Sequence, residues 1–541
     1  MQSEFESLRS RLAIWGLLVV SLSFAYMPAL QGYFLNMDDY NLWTIKDAGA
    51  CRGFYAWDFA IELGRPLCNY LICALAYSLD SIKDANSVRF VGILMLASVA
   101  YIISRLLRSE SSNAVNSLLA ALAITTLPSF QVNIGSIVLQ IQLVTILMAI
   151  AAYYLAFKGS LQFIKDKKAL NKYSFIAIAT FLASLLTYTP SSMFYWVMLA
   201  GYLTTIPIKL FNIAKRRLLY MFCIGFVSMG IYFIYAKVNY IIRNNFAKIE
   251  GYGYAVELTN DYVFKLKFFL FKVLEDTSNL WNISPSKEFA SGIILLIFTS
   301  FSASIYMIIV NWRKQFLNKN EHSPYMEDLK HYAQKCSLFI LLAILSYAPA
   351  LASKNMSFSG YRVYSAILPF TAIILYWALC NISLLLPAAR RNIALTTALV
   401  PICLFGIYSA HYNIMNYYHV PQNTEIKYLR SAFNQSDLSK YERIHVILLD
   451  PTTGPIVVDR SDTTLGYALL SGEFGGTQTW NPHNMFMLLK ATLPDIKDEK
   501  KRNALYKLIK ENKISAGQKK DYKEFVEPTL VIDLTRLYKF Y

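Results

Sequence analysis

Long apolar runs recur through this chain, and they restrict its fold more than any other feature. A helix needs about 20 apolar residues to cross a bilayer. By that criterion about eleven segments qualify, roughly 12–35, 88–107, 114–130, 134–157, 173–189, 192–211, 218–238, 289–311, 336–352, 363–386 and 393–415. The run 67–79 is too short to cross and reads as an interfacial or re-entrant helix. Composition leads to the same class: 55% of the 541 residues are hydrophobic and only 16% are charged, against roughly 25% charged in soluble domains. Such a chain cannot cover its apolar surface with polar groups. A mainly α, polytopic membrane protein is expected.

The net charge of +17 comes from 52 basic and 35 acidic residues. Its distribution points to membrane orientation rather than to nucleic acid. Loops 104–112, 158–172, 212–217, 312–335 and 387–392 are rich in Lys and Arg, as cytoplasmic loops are. Loop 36–66 has five acids and three bases, and 239–288 has six of each. These two sets fall on opposite sides only if 67–79 does not cross. The amino terminus, with Arg9 and Arg11, then lies inside and the carboxyl terminus outside. The first apolar run is too long for a secretory signal and lacks a small-residue cleavage site, so it is expected as an uncleaved span.

After about Tyr418 the chain turns polar. Two β-type runs, 444–449 and 529–534, flank a helix-like stretch from Asn484 to about Lys513. Residues 1–418 therefore read as the membrane domain and 419–541 as a small α/β domain on the outer side. The seven cysteines show no metal-binding spacing. Cys51 and Cys68 could pair in an oxidising compartment, while Cys73, Cys223, Cys380 and Cys403 read as packing residues.

The sharpest chemical signal follows the first span. Asp38 and Asp39 stand where an apolar helix ends, and the loop closes at Gly64-Arg65-Pro66. Carboxylates at a membrane boundary are costly unless hydrated, paired or functional. One of them could take a proton from an attacking hydroxyl. Arg65, Lys354 and Arg362 are placed to meet a lipid-carrier phosphate, since arginine binds phosphate through a planar fork. Tyr188, with Thr189 and Pro190, breaks the chain between two spans, and Gln131 lies in another outer turn with Asn133. Each offers hydrogen-bonding groups to a sugar. The aromatic stretch 265–281 reads as an amphipathic helix on the membrane surface. No GxxxxGK[ST], GxGxxG or zinc motif is present, which argues against a nucleotide-driven enzyme.

With the Asp38-Asp39 pair, the Gly64-Arg65-Pro66 turn, the Tyr188 break and the Tyr361-Arg362 element, the chain resembles the GT-C superfamily of membrane glycosyltransferases. It is similar in particular to the bacterial O-antigen glucosyltransferase family, which modifies lipopolysaccharide. The resemblance covers about 1–415 as architecture. It departs at Tyr188, which is followed by Thr-Pro where Tyr-Gln is expected, and Glu473-Phe474-Gly475 has no assigned role.

The resemblance implies an inner-membrane enzyme with a polyprenyl-phosphate-linked sugar as donor. It implies a surface-glycan hydroxyl as acceptor and inversion at the anomeric carbon. Asp38 or Asp39 would be the base, and Arg65, Arg362 or Lys354 would stabilise the leaving phosphate. Tyr188, Gln131 and Tyr361 would contact substrate. No cofactor is evident. A divalent metal assists in some related enzymes, but no residue pattern here forms a cation cage. The alternatives are a glycan polymerase or ligase acting on lipid-linked oligosaccharides, and a transporter or flippase.

Overall fold

A computed structural model describes residues 8–32, 34, 39, 42, 64–79, 84–108, 113–166, 171–247, 259–282, 287–317, 325–353, 360–448, 498–511, 513–518 and 527–533. Asp38, Cys51, Lys354 and Glu473 to Gly475 lie outside them. The described chain is mainly helical, with one small sheet.

Among the described residues, six helices are long and apolar enough to cross a membrane: Leu8–Ala25, Asp84–Leu107, Val138–Asp166, Phe211–Ile242, Glu288–Tyr306 and Ala388–Asn416. The pair Ala114–Thr125 and Pro128–Gly135, bent by 59°, passes the same test only when taken together, as a broken span or a re-entrant loop. These correspond to seven of the expected segments. The other four fall on the helices Lys172–Thr187, Phe194–Thr205, Tyr325–Leu345 and Ile367–Ser383. Three of those have fewer than the 18 residues of the shortest crossing helix, and Tyr325–Leu345 carries charge in its first turns.

Proline explains where the chain breaks. Its fixed φ and missing N–H suit the first turn of a helix and disturb the interior, although Pro401 stands inside Ala388–Asn413. The helices Met27–Gln31, Pro66–Ser78, Pro128–Gly135, Thr189–Ser192 and Ala348–Ala352 all carry proline in the first turn. The helix Pro66–Ser78 has 13 residues and matches the expected short element.

Aromatic packing fills the membrane core. Trp196 is buried among Phe181, Tyr195 and Phe222, with its ring 5.5 Å from that of Phe222. Gly225 lets the helix Phe211–Ala247 approach this ring, since a Cβ there would stand 2.3 Å from the Trp196 side chain. Small residues allow such close helix packing in lipid. Gly225→Ala is therefore expected to destabilise the fold by about 1–3 kcal/mol, read as a lower thermal midpoint in detergent.

The helix Ala388–Asn413 does not stop at the expected boundary near 418. It passes through a π-turn, Ile414–His419, into Val420–Gln435. The sheet that follows is parallel, in the order β2-β1-β3, with β1 Arg443–Leu448, β2 Ile514–Gln518 and β3 Thr529–Asp533. β1 and β3 fall on the expected runs. β2, ISAGQ, is a strand that hydrophobicity does not announce. Glu527 accepts from Arg443 (3.2 Å) and Lys513 (3.3 Å), tying together the entry ends of all three strands. These bonds hold its carboxyl below the ordinary value.

One hydrophobic cluster joins this sheet to the membrane part. It holds Leu429, Phe433, Ile444, Val446 and Ile532 together with Leu42, Ile72, Ala76, Ile137, Val138 and Ile141. The terminal sheet therefore shares its core with the short helix Pro66–Ser78 and with the break at 137–141.

The cysteine pairing differs from expectation. Cys68 is a free thiol, so the Cys51–Cys68 bridge is not formed, and Cys73 is disulfide-bonded rather than a packing residue. An apolar setting conceals from a sequence reading which of two nearby thiols is bonded.

Candidate functional site

The break between Pro128–Gly135 and Val138–Asp166 organises one end of the molecule. A helix leaves N–H groups unpaired at its start and carbonyls unpaired at its finish. Asp39 is fully buried and serves the first of these: one carboxylate oxygen accepts from Val138 N (2.9 Å) and from Ser136 Oγ (2.8 Å). An anion there is also favoured by the helix dipole. Arg89 serves the second. It is fully buried and donates to the carbonyl of Gly135 at 3.3 Å, and also to Phe34 and Ala29, with its guanidinium 3.8 Å from the Phe34 ring centre. Asp39 and Arg89 thus fix opposite sides of the same break. Sequence reasoning missed Arg89, although a charge within the first turns of an apolar helix is a usable signal.

Arg65 lies at the start of Pro66–Ser78. Its guanidinium carbon stands 4.6 Å from the Tyr188 ring centre, and Nη2 donates to Thr189 Oγ1 at 3.3 Å. Arg65 and Tyr188, separated by more than a hundred residues in sequence, are therefore brought together. Arg65 makes no ion pair among the described residues, and its Nε is buried without a partner. No described carboxylate neutralises its charge.

Gly64 makes this placement feasible. Its φ is +74°, and a Cβ would lie 3.2 Å from both the Tyr232 hydroxyl and the Ala236 Cβ. An L side chain in the left-handed region costs roughly 1–2 kcal/mol. Gly64→Ala should lower stability by about that amount and displace Arg65, seen as a lower thermal midpoint together with reduced activity.

A chain of hydroxyls links this place to the turn at 361–366. Ser365 and Ser191 lie 2.9 Å apart, and Ser191 donates to Gln142 Oε1 at 3.0 Å. Tyr361 is buried beside Tyr364, whose hydroxyl donates to Asp276 at 2.8 Å. Lys272 pairs with the same carboxylate at 3.2 Å. Arg362 sits half-buried in this turn. The stretch 265–281 leaves Leu266, Leu270 and Phe271 exposed, and Lys265 Nζ donates to the carbonyl of Ala350 at 3.4 Å.

Gln131 is placed elsewhere. It is fully buried, donates to Thr126 O at 2.8 Å and accepts from Asn413 at 2.9 Å. With its amide committed on both sides, it cross-links helices rather than facing a sugar. Asn133, beside it, is buried with both amide atoms unpartnered. Asp38 and Lys354 cannot be placed, because they lie outside the described residues. Among the described residues no three His, Cys, Asp or Glu side chains gather as metal ligands.

Comparison with known proteins gives no match: no family model and no curated protein matches the chain.

Proposed function

We propose that the protein is an inverting glycosyltransferase of the inner membrane that moves a hexose from a polyprenyl-phosphate carrier to a hydroxyl of a surface glycan. The observation that carries this reading is Arg65. It is oriented by Tyr188 and Thr189 and makes no ion pair with any described carboxylate, so its charge is available to an anion. In the reaction, the acceptor oxygen attacks the anomeric carbon while the carbon–oxygen bond to phosphate breaks. The departing polyprenyl phosphate gains negative charge, which a positioned guanidinium stabilises. Arg362 and Lys354 are further cations for the same phosphate.

The attacking hydroxyl must lose its proton to a base, and the Asp38-Asp39 pair supplies the candidates. Asp39 already accepts two hydrogen bonds at a helix start. That carboxylate oxygen is committed to the Val138 N–H and the Ser136 hydroxyl in a fully buried place. Asp38 is accordingly assigned the proton transfer, and Asp39 the positioning of the segment that carries it.

Two features support an outer, periplasmic site with the amino terminus in the cytoplasm. Basic loops alternate with balanced ones along the chain. The disulfide at Cys73 lies on the helix that Arg65 opens, and disulfides persist in oxidising compartments. The test is transfer by purified protein in bilayers from a labelled polyprenyl-phosphate hexose to a glycan acceptor. Transfer with inverted configuration is expected, with none from a nucleotide sugar; the reverse donor preference would contradict the reading.

A further inference from the structure

Three buried polar atoms without partners gather around the same elements. Arg65 Nε is the first. Asn69 lies one helical turn beyond it on Pro66–Ser78; the residue is 5% exposed, and its Oδ1 has no partner. Gln142 is 1% exposed. Its Oε1 accepts from Ser191, and its Nε2 has no partner. Ser191 belongs to the four-residue helix Thr189–Ser192, whose Thr189 holds Arg65. Protein interiors pair more than about nine in ten of their buried polar groups. Orphans on Arg65, on the helix it opens, and on the residue bonded to the short helix that holds it therefore call for a common explanation.

Their chemistry is complementary to a single ligand class. Arg65 Nε is a charged donor, Asn69 Oδ1 an acceptor and Gln142 Nε2 a neutral donor. An anionic oxygen satisfies the first. A hydroxyl donates to the second, and a hydroxyl oxygen accepts from the third. A sugar phosphate carries all three. We infer that Asn69 and Gln142 form, with Arg65, the subsite for the sugar-phosphate head of the donor, the two amides reading sugar hydroxyls while the guanidinium holds the phosphate. This rests on the glycosyltransferase reading and extends it, because the amides then set which hexose is accepted. A phospholipid headgroup offers the same phosphate, but it would not make the amides matter for sugar transfer.

The test uses the full-length protein in bilayers with polyprenyl-phosphate hexose as donor. Asn69→Leu and Gln142→Met are close in shape and remove the unpartnered atoms. Each is expected to lower kcat/KM for the donor about tenfold, the effect of losing one hydrogen bond of ordinary strength. The thermal midpoint should stay level or rise in Asn69→Leu, which removes a buried polar atom that has no partner without sugar, and change little in Gln142→Met, where the Ser191 hydroxyl that loses its acceptor can donate to Ser365 instead. Polyprenyl phosphate lacking the sugar should inhibit wild type and variants equally. Phosphatidylglycerol vesicles should not compete in either case.

Wild-type kcat/KM in both variants would overturn the subsite, as would a loss of transfer that follows a fall in thermal midpoint. So would competition by phosphatidylglycerol that depends on the two amides. If Arg65→Ala is inactive while both amide variants behave as wild type, the subsite is wrong and the glycosyltransferase reading stands. If the wild type transfers no sugar at all, both fall together.

Discussion

Arg65→Ala is expected to slow sugar transfer by about a hundred- to a thousandfold, the range seen when one positioned donor to a developing anion is removed. Three features of the site set that size. The guanidinium lies against Tyr188, one arm is held by Thr189, and no described carboxylate neutralises it. Little reorganisation is then needed as charge builds on the leaving phosphate. Among the described residues, removing the side chain strands no buried partner charge, the usual source of large instability when an ion pair is broken. The folded yield and thermal midpoint should therefore stay near those of wild type. Arg65→Lys should recover only a small part of the rate, because an ammonium offers neither the planar face for Tyr188 nor two directed donors. The check is single-turnover transfer alongside thermal unfolding. Full activity in Arg65→Ala would remove the anion-stabilising role.

The two neighbouring aspartates are expected to separate in opposite directions. Asp38→Asn should reduce transfer by about a hundred- to ten-thousandfold, the contribution of a positioned general base, with stability unchanged. Asp39→Ala should act on the fold. It leaves the Val138 N–H and the Ser136 hydroxyl without their acceptor in a fully buried place, at about 1–3 kcal/mol. Asp39→Asn retains an oxygen that can accept both bonds, so it should keep most of the stability and a substantial part of the activity. Thermal unfolding and transfer rates on the three variants check this. Loss of transfer in Asp39→Asn with full activity in Asp38→Asn would exchange the two roles.

Much of the membrane architecture was legible because its signal is local. Apolar runs located the helices, the short run at 67–79 was distinguished by length alone, and strands β1 and β3 fell on their β-type runs. The eleven-span count was harder to read. The chain breaks its helices at Pro66, Pro128, Pro190 and Pro349, and a hydropathy window averages across such breaks. β2 was missed because ISAGQ has little apolar character and takes its place from pairing with β1.

At the site, residue types were more legible than partners. Arg65 and Tyr188 were each singled out, but only the fold places one over the other. Gln131 looked like an open polar turn and proves to be a buried cross-link between helices. Arg89 was overlooked inside an apolar run, although it secures the carbonyl end of the break that Asp39 secures from the other side. Partner choice depends on contacts between residues tens to hundreds of positions apart, which local pattern does not carry.

The most direct measurement of the central claim is transfer itself, by purified wild type and Asp38→Asn in bilayers containing a labelled polyprenyl-phosphate hexose and a glycan acceptor. The account predicts label on the glycan with wild type, and almost none with Asp38→Asn at an unchanged thermal midpoint. No transfer by folded wild type, or equal transfer by both proteins, would contradict it.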